Sequence, residues 1–186
     1  MRLENKHLIP EAVAQQILSA FGVHERTRAY DRWIVEGGFY VRDFHSVLND
    51  SPLIFVMDWR GEAVEDLLWL SKGLRTIGVD LEVVGDDDDT CRGEVRGARG
   101  AKHFEYVPVD GMDFDDVIQA VIDVIPETVA VRASPANIDS DTWSYAFLPV
   151  ERWAELDAAC PEIINELYGT PLHKRRPRRR GWRFWR

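Results

Sequence analysis

The sequence predicts an α+β fold: one domain, a sandwich in which a mixed sheet of six or seven strands carries helices packed on it. Three observations predict it. Apolar runs of strand length, "PLIFVM" and "VDLEVV", alternate with segments of helical period. The element order read along the chain is α, β-hairpin, βαβ, loop, βαβ, β, α. At 186 residues and 45% hydrophobic content, the chain has material for one substantial core and is too apolar to stay disordered.

The first helix is predicted at "PEAVAQQILSAF", where Pro10 suits a first turn, Val13, Ile17 and Phe21 share one face, and Gly22 is a stop. "YDRWIVEGGFYVRDFHSV" reads as a hairpin turning at Gly37-Gly38. "SPLIFVMDW" reads as a central strand buried on both faces. A helix follows at "GEAVEDLLWLSKGLRTIG", with Val64, Leu67, Leu68 and Leu74 inward, and then a strand at "VDLEVVG". Residues 85–101 show neither period and read as a long exposed loop or hairpin tip. "KHFEYVPV" alternates as a strand.

"DFDDVIQAVIDVI" carries the cleanest helical stripe: Phe114, Val117, Ile118, Val121, Ile122 and Ile125, with Asp113 as N-cap and Asp115 and Asp116 in the first turn. Strands at "ETVAVRAS" and "TWSYAFLPV" and helices at "ERWAELDAAC" and "PEIINELYG" complete the body.

Charge divides the chain in two. The full sequence has 23 basic and 32 acidic residues, net −9. The last segment, "HKRRPRRRGWRFWR", holds eight lysines and arginines and no acid. Residues 1–172 therefore keep 15 basic against 32 acidic residues, or −17. The expected organisation is an acidic globular domain over 1–172 and a basic Arg/Trp-rich tail over 173–186. Such asymmetry speaks of partners rather than of fold.

The N-terminus lacks the apolar run of a signal peptide, and no stretch is long enough to span a bilayer. Cys91 and Cys160 stand far apart without ligand spacing and read as reduced thiols, so the expected location is cytoplasmic.

No motif announces a reaction. The five histidines lack zinc spacing, the serines lack a nucleophile elbow, and "RGARG" sits in no strand-to-helix turn. Asp80 and Glu82 resemble the acidic half of a restriction-endonuclease-like site, but Val84 stands where that pattern needs a lysine. The aspartate run Asp86, Asp87, Asp88 and Asp89 lacks the offsets of a calcium loop, since Gly93 and Glu94 fall at the wrong places. It reads as a solvated loop or as a patch that meets a basic partner. Arg92, Arg96, Arg99 and Lys102 are near enough in sequence to neutralise it. No metal and no cofactor is expected.

Trp33, Trp59, Trp69, Trp143 and Trp153 are expected to be core or half-buried, with Trp59 at a strand end where a surface role is open. In the tail, Arg178, Arg179 and Arg180 supply charge, and Trp182 and Trp185 supply flat faces. That mixture suits an acidic protein surface, the chain's own or a copy's; nucleic acid and anionic membrane are alternatives.

In size, acidic α+β character, wealth of aromatics and lack of a catalytic set, residues 1–172 resemble bacterial immunity proteins. The likeness is one of general character and involves no motif. It implies a non-enzymatic protein that neutralises a basic partner, a cognate toxin that is often a nuclease. Asp86 to Asp89 and Asp110 would then cover a cationic cleft, with Trp59 beside them. Two readings stand against it. One is an accessory protein that binds nucleic acid or anionic membrane through the tail. The other is an enzyme with a scattered site such as His45, His103 and Asp58.

Overall fold

The computed structural model describes residues 8–23, 38–58, 63–87, 90–106, 114–135 and 142–172. In chain order these form β1 (Leu8–Pro10), α1 (Glu11–Ala20), β2 (Gly38–Tyr40), α2 (Val41–Leu48), β3 (Ile54–Asp58), α3 (Ala63–Arg75) and β4 (Asp80–Asp87). There follow β5 (Thr90–Gly97), β6 (Gly100–Tyr106), α4 (Phe114–Val124), β7 (Val129–Ala133), β8 (Thr142–Pro149), α5 (Val150–Ala159) and α6 (Pro161–Tyr168).

The fold is α+β, as expected. Among the described residues the strands divide into three antiparallel sheets, β1–β2, β3–β8–β7 and β4–β5–β6, instead of one mixed sheet.

The β3–β8–β7 sheet separates two cores. Strand side chains alternate between faces, so neighbours in sequence serve different cores. Phe55, Met57, Val131, Tyr145 and Phe147 face α3, α4 and the β4–β6 sheet. Ile54, Ala146 and Leu148 face α1, α2, α5 and α6. This explains the unbroken apolar run in "PLIFVM": both faces are buried. β3 is nonetheless an outer strand of its sheet, not a central one.

The second core is aromatic. Phe21, Trp153 and Tyr168 lie within 5.6–5.9 Å of one another, centroid to centroid. Trp153 also donates Nε1–H to the Ala130 carbonyl at 3.0 Å, which satisfies its polar atom. Cys91 belongs to the first core and Cys160 to the second, and they form no disulfide with each other.

Of the hairpin expected around Gly37-Gly38, the first arm and Gly37 lie outside the described residues, and the second arm is corrected. Gly38 starts β2 and pairs with Pro10. Its φ is +158°, and a Cβ there would lie 1.9 Å from the Ile9 carbonyl oxygen, so close approach to β1 demands glycine. The following residues are helix α2, because Val41, Phe44 and Leu48 fall at i, i+3 and i+7 and are all buried.

The segment 85–101, expected as a long exposed loop or hairpin tip, is corrected as a loop: its described residues build the hairpins of the β4–β5–β6 meander. Period-two alternation is present, with Cys91, Gly93 and Val95 inward and Arg92, Glu94 and Arg96 outward. Glycine at an inward position hid the pattern. At Gly93 the Phe104 ring occupies the space, lying 2.4 Å from where a Cβ would be.

In α3 the buried stripe is Leu67, Leu70 and Leu74, whereas Leu68 is 54% and Trp69 66% exposed, against expectation. Only the first group lies on the side that packs against β3 and β4. In α4, Val117, Ile118, Val121 and Ile122 are buried as predicted, as is Ile125 just past its end. Among the described residues no helix is long and apolar enough to cross a membrane.

Candidate acidic interface

Strand direction brings several chain ends together. Asp58 at the end of β3 pairs with Thr142 at the start of β8. One residue back, Met57 Sδ accepts the Tyr106 hydroxyl at 3.7 Å, which places the end of β6 beside the end of β3. Tyr106 is registered with Cys91, and Cys91 with Asp86, so the β4–β5 tip is at this end too. α4 runs back from it, because the Arg99 N–H in the opposite turn bonds the Val124 carbonyl at 3.2 Å. α3 is likewise antiparallel to β4, with Ser71 Oγ donating to the Leu81 carbonyl at 3.2 Å.

One end of the molecule therefore gathers the C-termini of β3, β4 and β6 and the N-termini of α3 and α4. The acids carried there are Asp58, Glu65, Asp66, Asp86, Asp87, Asp115 and Asp116. Asp86 and Asp87 are the last residues of β4, opposite Cys91 and Thr90. Glu65 and Asp66 sit in the first turn of α3, where carboxylates complement the helix dipole.

Of the other residues singled out from the sequence, Trp59, Asp88, Asp89, Asp110, Arg178, Arg179, Arg180, Trp182 and Trp185 lie outside the described residues, as does Asp113.

The outer face of the β4–β5–β6 sheet is different in kind. It is an open depression of about 660 Å³ lined by Glu82, Val84, Arg92, Glu94, Arg96, His103 and Glu105. Its charges answer one another. Arg96 donates Nε to Glu94, and its Nη1 lies 3.2 Å from Glu82 Oε2. Arg92 is 3.6 Å from Glu105, and His103 is 3.5 Å from Glu94. The hydrogen bond and charge of Glu94, reinforced by Glu82, raise the Arg96 pKa above its ordinary value. Exposed pairs of this kind add little stability, but they cancel field. The surplus negative charge is not displayed on this face.

Each of the four cations expected to neutralise the aspartate run has a partner elsewhere, Arg92 in Glu105. Arg96 serves Glu82 and Glu94, Lys102 lies 3.9 Å from Asp123, and Arg99 donates to the carbonyls of Ile122 and Asp123. Val84, at the position that displaced the nuclease pattern, falls in a bulge between Val83 and Gly85 and is 69% exposed.

The scattered trio is not brought together through its histidines. His45 lies on helix α2 and not on a strand, with its ring edge-on to Tyr168 at 5.5 Å in the second core. His103 projects from β6 into solvent, 83% exposed, on the outer side of the other core. Among the described residues, no three His, Cys, Asp or Glu are grouped to hold a metal ion.

Sequence reasoning missed the exposed Leu68–Trp69 pair on α3. The signal was available: Trp69 and Lys72 are spaced i, i+3, and the Lys72 ammonium sits 4.3 Å from the centre of the Trp69 ring. No protein-family model, no curated protein and no solved structure matches this chain.

Proposed function

We propose that this chain is a non-enzymatic binding protein whose acidic end neutralises a basic protein, and that it acts as an immunity protein against a cognate bacterial toxin. The observation that carries the reading is the gathering of acids at the end where β3, β4, β6, α3 and α4 terminate or begin. An end rich in carboxylates on a body of net −17 speeds encounter with a cationic cleft and can stand in for its polyanionic substrate.

The test is co-expression with the product of the neighbouring gene. The wild-type chain should restore growth to cells that the neighbour poisons, and should bind it with an affinity that falls as salt rises. Changing Asp86 to Asp89 all to Asn should abolish protection while leaving the melting temperature within a few degrees. Equal protection by that variant, or a neighbour with no basic surface and no affinity for the chain, rejects the proposal.

A further inference from the structure

The described chain leaves the fold at the outer edge of β7. Pro171 bridges Arg132, and Leu172 N–H bonds the Val131 carbonyl at 2.8 Å. β7 and β3 are the two neighbours of β8, so they lie about 10 Å apart. Helix α3 packs on β3 and β4, and it turns a continuous face to solvent. On that face are Glu65, Leu68, Trp69 and Lys72, spaced three or four residues apart. Leu68 and Trp69 are the large apolar side chains most exposed on any described helix, at 54% and 66%.

The face has a defined chemistry. Lys72 over the Trp69 ring shows that the indole accepts a cation. Glu65, one turn towards the acidic end, adds a carboxylate. A segment with interleaved arginines and aromatics would satisfy both: guanidinium on carboxylate and indole, aromatic rings on Leu68 and Trp69. Residues 174–186 have that composition, with eight cations, no acid, and Trp182, Phe184 and Trp185.

We propose that the basic tail of this chain docks in cis on the α3 face around Trp69 and Glu65, next to the acidic end. Reach permits it. Fourteen residues beyond Leu172 extend up to about 46 Å, roughly three times the radius of gyration of a body this size, about 16 Å. Tethering favours it as well. A short tether gives an effective concentration in the millimolar range, so a contact with a Kd of about 1 mM is already half filled. This docking stands on the charge division and the α3 face, and needs no external partner. It would make the tail a resident competitor beside the acidic end.

The test is limited trypsin digestion of the full chain at low ionic strength, with cleavage after Lys174 to Arg183 read by mass spectrometry against a free peptide of the tail sequence. Docking predicts cleavage about tenfold slower in the protein than in the peptide, since proteolysis follows the population of the open form. Protection should vanish in about 0.5 M salt and fall severalfold in Trp69→Ala and in Glu65→Lys, both exposed substitutions checked by thermal melting. Cleavage at the peptide's rate in the wild type at low salt overturns the proposal, as does undiminished protection in Glu65→Lys. Protection that disappears on about a hundredfold dilution assigns the contact to a second copy and overturns docking in cis.

Discussion

Arg132 on β7 and Asp157 on α5 meet as a bidentate pair, Nη1 donating to Oδ1 at 2.8 Å and Nη2 to Oδ2 at 2.6 Å. Arg132 is nearly enclosed, its guanidinium stacks 4.3 Å from the centre of the Trp153 ring, and Nη1 also reaches the Gly169 carbonyl at 3.2 Å. One side chain thereby ties the dividing sheet to α5 and to the end of α6. Removing Asp157 strands a buried cation. Asp157→Ala should cost about 2–4 kcal/mol, and Asp157→Asn less, because an amide oxygen still accepts. Urea denaturation checks it: the midpoint falls with the slope unchanged. An unmoved midpoint would mean the pair contributes nothing.

Arg99 closes the C-terminus of α4 from another element. Its Nε and Nη2 donate to the carbonyls of Asp123 and Ile122, and its backbone N–H to Val124. The last turn of α4 has no basic residue of its own, so the arginine supplies both donors and the charge that a helix C-terminus favours. Arg99→Ala should destabilise by about 1–2 kcal/mol and speed amide exchange in the last turn of α4 more than in α1. Uniform exchange across both helices would contradict the cap.

His45 makes stability depend on pH. Burial lowers its pKa from 6.5 to about 4, because the charged imidazolium loses solvation. The unfolded chain therefore binds a proton that the folded chain refuses between about 6.5 and about 4. This contribution is fully present above pH 6.5 and is lost progressively as pH falls through that window. The size is about 3 kcal/mol. Tyr168, edge-on to the imidazole, has its pKa raised by burial and stays neutral throughout. His45→Leu should flatten the dependence of melting temperature on pH in this window; a curve parallel to the wild type would remove His45 as its source.

Gly93 is fixed by Phe104. A Cβ at Gly93 would lie 2.4 Å from the ring and 2.5 Å from the Glu82 carbonyl oxygen. Gly93→Ala should cost about 1–3 kcal/mol through overpacking. Phe104→Leu in the same chain should recover part of the loss, since the ring supplies two of the three nearest obstructing atoms. Additive losses in the double variant would show that the ring is not the obstacle.

Much of the fold was legible in the sequence, for identifiable reasons. The α4 stripe and the α1 stripe declared themselves because every inward position is apolar. The same rule concealed β5, where glycine takes an inward place that Phe104 fills from the neighbouring strand. Helix α2 was hidden by β-favouring residues whose spacing, Val41, Phe44 and Leu48, is helical. The division into three sheets was out of reach, because strand partners are set by tertiary contacts such as Tyr106 with Met57, which pair residues 49 apart. Of the site, the sequence offered the acids and their surplus. It did not show that Arg96 and Arg92 quiet one face, nor that β3, β4 and β6 end together.

Ala146 is buried in one core, while its neighbours Tyr145 and Phe147 are buried in the other. Neither half of the molecule can melt without exposing the reverse side of the wall that the other leans on. A calorimeter should therefore record a single endotherm, with the van't Hoff and measured enthalpies in agreement. Damage inflicted on one compartment would be felt as lost cohesion throughout.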